Sequence, residues 1–101
     1  MRMMIDDKFL KELLETATVS GYEEAGGEII RRHMEPVSDA VLSDDIGDTI
    51  CVLNPDARPR ILMTAHLDEI GLMVSAVTEK GRLTAVRRGG IIPAVYPGHQ
   101  V

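Results

Sequence analysis

A chain of 101 residues has room for one domain or for a piece of a larger one. Its formal net charge of -5 offers no basic face for nucleic acid and no electrostatic attraction to an anionic membrane surface. The single cysteine, Cys51, excludes an internal disulfide and any cysteine-based zinc site.

No run approaches the roughly 18 apolar residues of a membrane span. The apolar stretch after Arg2 is too short for a signal peptide. The composition is that of a soluble protein of a reducing, cytoplasmic compartment. Aromatic residues make up 3% of the chain, so any core must be aliphatic and methionine-rich.

In chain order, Leu10, Leu13, Leu14 and Ala17 recur at i, i+3, i+4 and i+7, which predicts a helix over residues 7–18. Asp6 or Asp7 can cap its start, and Asp7 with Lys11 makes a favourable i, i+4 pair. Ser20-Gly21-Tyr22-Glu23 has the spacing of a capping box and predicts a second helix reaching about Met34. Gly26 and Gly27 inside it each cost roughly 1 kcal/mol relative to Ala. His33, near its end, suits the helix dipole better than a metal.

Pro36 ends that helix. Residues 37–42 and 49–53 then read as two strands joined through Gly47-Asp48. Asp44, Asp45 and Asp48 lack the spacing of a calcium loop and read as turn chemistry. Cys51 reads as a small buried hydrophobe. The run Ile61–Ala65 is short and apolar, as for a strand buried on both faces of a sheet. It delivers His66, Asp68 and Glu69 at its carboxyl end, where open α/β sheets present their chemistry.

Residues 72–77 and 82–86 read as an antiparallel hairpin turning at Gly81. Arg87 and Arg88 read as solvated loop residues before Gly89-Gly90. The two prolines in residues 91–98 exclude an interior strand there, and they leave His99 in a broken stretch. Helix, helix, hairpin and buried strand give an α/β class, with a change to antiparallel structure at Gly71.

The chemistry centres on His66. A neutral imidazole is a common ligand for zinc and similar divalent ions, and a carboxylate on its other ring nitrogen fixes the tautomer. Asp68, two positions on, can share a face with His66 in extended backbone. On spacing alone, the simpler reading is a strand-end His satisfied by a local carboxylate with nothing bound. A zinc site takes three or four protein ligands, and the sequence offers one convincing candidate. No Ser-His-Asp constellation or phosphate loop is present as an alternative.

The stretch Ala65-His66-Leu67-Asp68-Glu69-Ile70-Gly71-Leu72-Met73-Val74 closely resembles the signature of the glutamyl aminopeptidase family of metallopeptidases. That family includes the tetrahedral, dodecameric aminopeptidases, and some members carry the name endoglucanase. Further matches follow in family order: Leu13-Leu14, Val19-Ser20-Gly21-Tyr22-Glu23-Glu24, Asp45-Ile46-Gly47, Gly81, Gly89-Gly90, and Pro97-Gly98 with Val101. Asp48 and Arg88 depart from the family's usual wording.

The resemblance covers the whole chain but only the opening portion of a family member. It implies a zinc-peptidase-like α/β domain, of which residues 1–70 are the N-terminal part. Residues 71–101 would be the first strands of an inserted β-rich dimerisation domain. It also implies a two-metal aminopeptidase, using zinc or cobalt, that acts on peptides as a homo-oligomer.

In that frame His66 is a metal ligand and Asp68 the supporting carboxylate of the catalytic site, and no role carries over to Glu69. The family's remaining ligands and general base have no counterpart in the 101 residues, so the chain alone is expected to be inactive. The competing expectation is a non-catalytic relic or interaction module. Glycan hydrolysis, which needs a carboxylate pair about a sugar, fits the His66 motif poorly.

Overall fold

The computed structural model describes residues 6–100. Helices α1 (Asp7–Glu15) and α2 (Glu24–Met34) come first, followed by strands β1 (Ala40–Ser43), β2 (Thr49–Val52), β3 (Gly71–Val77) and β4 (Leu83–Arg88). The strands form two separate antiparallel hairpins, β1 with β2 and β3 with β4. Asp6 caps α1 as the sequence allows, its side chain accepting from the amides of Lys8 and Phe9 at 3.1 Å. Lys11 pairs with Glu15 at 3.8 Å, in place of the expected partner Asp7.

Helix α1 ends three residues earlier than its apolar period predicts. Thr16 turns its hydroxyl onto the carbonyl of Glu12 at 2.8 Å, and its own backbone is already extended. Helix α2 lies against α1 on one side and the β1–β2 hairpin on the other. Phe9 and His33 stack with ring centroids 3.9 Å apart, so His33 is engaged in helix packing. Arg32 bonds Glu12 of α1, and Arg31 bonds Ser43 of β1.

The β1–β2 turn uses its aspartates as expected. Asp44 accepts from the amides of Ile46 at 3.1 Å and Asp48 at 2.9 Å, while Gly47 takes a φ of 94°. Cys51 is half-buried on β2. The β3–β4 hairpin also follows its sequence pattern, with a register irregularity at Ser75 and a turn closed by Gly81. Arg87 and Arg88 belong to β4, not to the loop after it, because the ladder runs on to pair Gly71 with Arg88. Pro93–Val95 forms a short 3-10 turn, and His99 donates its amide to the Tyr96 carbonyl.

The largest departure from expectation is the apolar run before His66. Residues 60–68 belong to neither a helix nor a strand, and Ile61, Leu62 and Met63 are 82%, 86% and 90% exposed. A strand needs a neighbour to take its amides and carbonyls, and each hairpin pairs only within itself.

The same shortage shows in the core. Among the described residues, Ile29 and Ile91 are the buried apolar side chains, while Leu14 and Val74 remain exposed. The radius of gyration is 18.0 Å, against about 13 Å for a compact chain of this length.

Candidate metal centre

A small set of contacts between distant segments holds the His66 motif in place. Val19 and Glu69 form an isolated parallel bridge. The Glu69 amide donates to the Thr18 carbonyl at 2.9 Å, and the Glu69 carboxylate accepts from the Thr18 amide at 3.2 Å. Glu69 is thus a clamp on the loop between the helices, which gives it a structural role the sequence did not suggest. Truncation in Glu69→Ala leaves the buried Thr18 without its amide's partner. A loss of about 1–2 kcal/mol in unfolding free energy is expected, measured as a lower urea midpoint.

Leu67 sets the facing of its neighbours. A methyl group built on Gly26 would lie 2.6 Å from Thr18 Cγ2 and 3.0 Å from Leu67 Cδ2, so α2 receives both side chains where it has none of its own. Alternation along extended backbone then turns His66 and Asp68 to the other side. Gly71 and Gly89 are comparably close, to the side chains of Val19 and Ile70.

The His66 ring is 86% exposed, and its Nδ1 lies 2.9 Å from the Asp68 carbonyl oxygen and 3.1 Å from Asp68 Oδ1. A carbonyl oxygen can only accept, so Nδ1 must be the nitrogen that carries the proton. In the neutral ring Nε2 then keeps its lone pair free.

Asp68 Oδ2 accepts a hydrogen bond of 2.6 Å from Ser20 Oγ. That bond, followed by the one to His66, holds the Asp68 carboxyl below its ordinary value of 3.8. A carboxyl lowered on folding stabilises the folded chain above its unfolded value. That contribution is lost as the pH falls through the lower, folded value. Asp68→Asn should therefore flatten the acid limb of a stability-against-pH curve below about pH 4, read by circular dichroism.

Ser20 overturns the capping-box expectation. Helix α2 opens at Glu24 behind Glu23, which makes no side-chain cap, and Glu23 Oε1 accepts from the Gly21 amide at 2.6 Å. Gly21, at φ 91°, and the bond from the Tyr22 amide to the Val19 carbonyl turn the loop. The Ser20 hydroxyl thereby faces Asp68 across 48 residues of sequence. The signal was present in the wording Val19-Ser20-Gly21, which reads locally as a helix start.

These residues can supply one imidazole ligand through Nε2 and the carboxylate that orients it. No group of three or more His, Cys, Asp or Glu side chains that could hold a metal occurs among the described residues. His33 is stacked on Phe9, and Asp44 serves its turn.

Residues 47–101 match the M42 glutamyl aminopeptidase family. The chain belongs to that family. It is 35% identical over 91 residues to the lysyl aminopeptidase of Pyrococcus furiosus, a match covering 89% of this chain and 26% of the relative. It is 30% identical over 100 residues to the glutamyl aminopeptidase of Lactococcus lactis, covering 97% and 28%. A crystal structure of a TET aminopeptidase from a marine sediment archaeon of the Thaumarchaeota superposes with a TM-score of 0.76 at 37% identity, covering 82% of this chain and 23% of that one.

This M42 chain therefore spans about a quarter of the length of the relatives it matches. Its mixed helices and strands agree with that fold. No helix among the described residues is long and apolar enough to cross a membrane.

Proposed function

We propose that this chain is the N-terminal part of a metal-dependent aminopeptidase in which His66 is a metal ligand through Nε2 and Asp68 is its supporting carboxylate. The observation that carries the reading is the pair of Asp68 oxygens on Nδ1 of an exposed His66 ring, an arrangement that leaves Nε2 uncommitted, in a chain of the M42 family. Two divalent ions, zinc or cobalt, would supply Lewis acidity and an activated water for hydrolysis of the N-terminal residue of a peptide. The chain's own part is narrower. It fixes the imidazole in one tautomer through Asp68 and anchors the motif to the interhelical loop through Glu69.

The same reading assigns residues 1–70 to the opening of the α/β catalytic domain and residues 71–101 to the first strands of an inserted β-rich dimerisation domain. In support, the β3–β4 hairpin begins at Gly71 and is long and apolar on exposed positions such as Val74, Val77 and Leu83. The complete protein would be a cytoplasmic homo-oligomer acting on peptides. The exposed run Ile61–Met63 and the thin core support a segment that acquires neighbouring strands from further chain.

The 101 residues alone are inactive on this reading, since one ligand and one supporting carboxylate do not make a two-metal site. Aminoacyl p-nitroanilide assays with added zinc or cobalt test it. The isolated chain should show no turnover, while the complete polypeptide should lose turnover to a chelator and regain it with metal. Chelator-insensitive hydrolysis by the complete polypeptide would overturn the proposal.

A further inference from the structure

We propose that Ser20 is a positioning residue for the His66 motif. Its hydroxyl holds the Asp68 carboxylate where Oδ1 joins the Asp68 carbonyl as a second acceptor on His66 Nδ1, which favours the imidazole tautomer that is open on Nε2. The role deepens the metal-ligand reading given above, and rests on it for its purpose alone.

The geometry is a chain of contacts running from Ser20 to the imidazole. Ser20 Oγ donates to Asp68 Oδ2 at 2.6 Å, and Asp68 Oδ1 faces His66 Nδ1 at 3.1 Å. A carboxylate on a single torsion from its Cβ swings freely unless both oxygens are engaged. Here each oxygen has its own partner, and one of those partners comes from a segment 48 residues away. The Ser20 loop is itself tied down on both sides of the serine. The Thr18 carbonyl and amide are both bonded to Glu69, and the Tyr22 amide closes a turn on the Val19 carbonyl. The hydroxyl is consequently presented from a fixed backbone to a half-buried oxygen.

Half-burial separates this serine from a solvent molecule that could do the same work. Ser20 and Asp68 are both partly shielded, while the imidazole beyond them is exposed. Removing the hydroxyl leaves Oδ2 to find water, and the carboxylate gains a second orientation in which Oδ1 no longer meets Nδ1. Nδ1 then keeps only the Asp68 carbonyl as an acceptor, and a larger share of the rings moves its proton to Nε2, which removes the lone pair a metal needs.

The test is the histidine tautomer of the metal-free 101-residue chain, read from long-range proton–nitrogen correlations of the imidazole above pH 8. Wild type should show His66 mainly as the Nδ1–H form. Ser20→Thr, which keeps a hydroxyl, should do the same. Ser20→Ala should raise the Nε2–H share of His66 measurably above wild type while the backbone amides of α1, α2 and the β3–β4 hairpin stay in place.

A Ser20→Ala ring unchanged from wild type would overturn the proposal. So would a wild-type ring already in the Nε2–H form, a result that stands even if the alanine variant does not fold. Because no metal is present, the outcome is separate from the function proposed above. An Nδ1–H ring controlled by Ser20, in a protein indifferent to chelators, would remove the aminopeptidase reading and leave this one intact.

Discussion

Gly26→Ala should destabilise the chain by about 1–2 kcal/mol, whereas Gly27→Ala, one position along the same helix, should stabilise it by about 0.5–1 kcal/mol. Both substitutions relieve the helix-propensity cost of glycine, which is roughly 1 kcal/mol. They differ in what the new methyl group meets. At position 27 the nearest atom is Thr49 Oγ1 at 3.4 Å, an ordinary contact. At position 26 it would meet Thr18 Cγ2 at 2.6 Å and Leu67 Cδ2 at 3.0 Å.

Thr18 is buried, and its backbone is bonded to Glu69 through both amide and carbonyl, so it has little room to retreat. Overpacking of this kind costs about 1–3 kcal/mol and outweighs the propensity gain. Urea denaturation of the two variants beside wild type measures the difference. Since Leu67 lies between His66 and Asp68, amide shifts of that motif should also move in Gly26→Ala and stay still in Gly27→Ala.

If His66 is the proposed ligand, His66→Ala in the complete polypeptide should lower kcat/KM by about 100-fold or more and reduce bound metal, because the substitution would delete that ligand outright. On the same proposal Asp68→Asn would keep the ligand and lose only the charge that orients it, for which about 10–100-fold is the usual loss. His33→Ala is the control. It removes the stack on Phe9, for a stability loss of about 0.5–1.5 kcal/mol, and should leave metal content unchanged. Metal analysis after gel filtration, together with steady-state kinetics, separates the three outcomes.

Elements that rest on local chemistry were legible in the sequence. The Asp6 cap, the Asp44 turn, the hairpin turning at Gly81 and the end of α2 near Pro36 depend on residues within a few positions of one another. So does the His66–Asp68 pairing, which needs only two residues of extended backbone.

What escaped the sequence depends on partners far along the chain. Ile61–Ala65 has the composition of a buried strand, but burial and pairing come from neighbours, and neither hairpin pairs with it. The apolar face of α1 is legible in its period, yet Leu14 stays 73% exposed because α2 covers only part of that face. Ser20 has the local pattern of a helix cap, and a carboxylate 48 residues away competes for its hydroxyl and wins. Glu69 had no assignable role until its contacts with Thr18 were visible, since nothing in its immediate neighbours points to that loop.

The role given to His66 meets its most direct test in an anomalous difference map from crystals of the complete polypeptide grown with zinc. A zinc peak about 2.0–2.1 Å from His66 Nε2, with Nδ1 still on Asp68, is the expected result. Zinc bound in the catalytic domain with His66 outside its coordination shell would contradict the assignment.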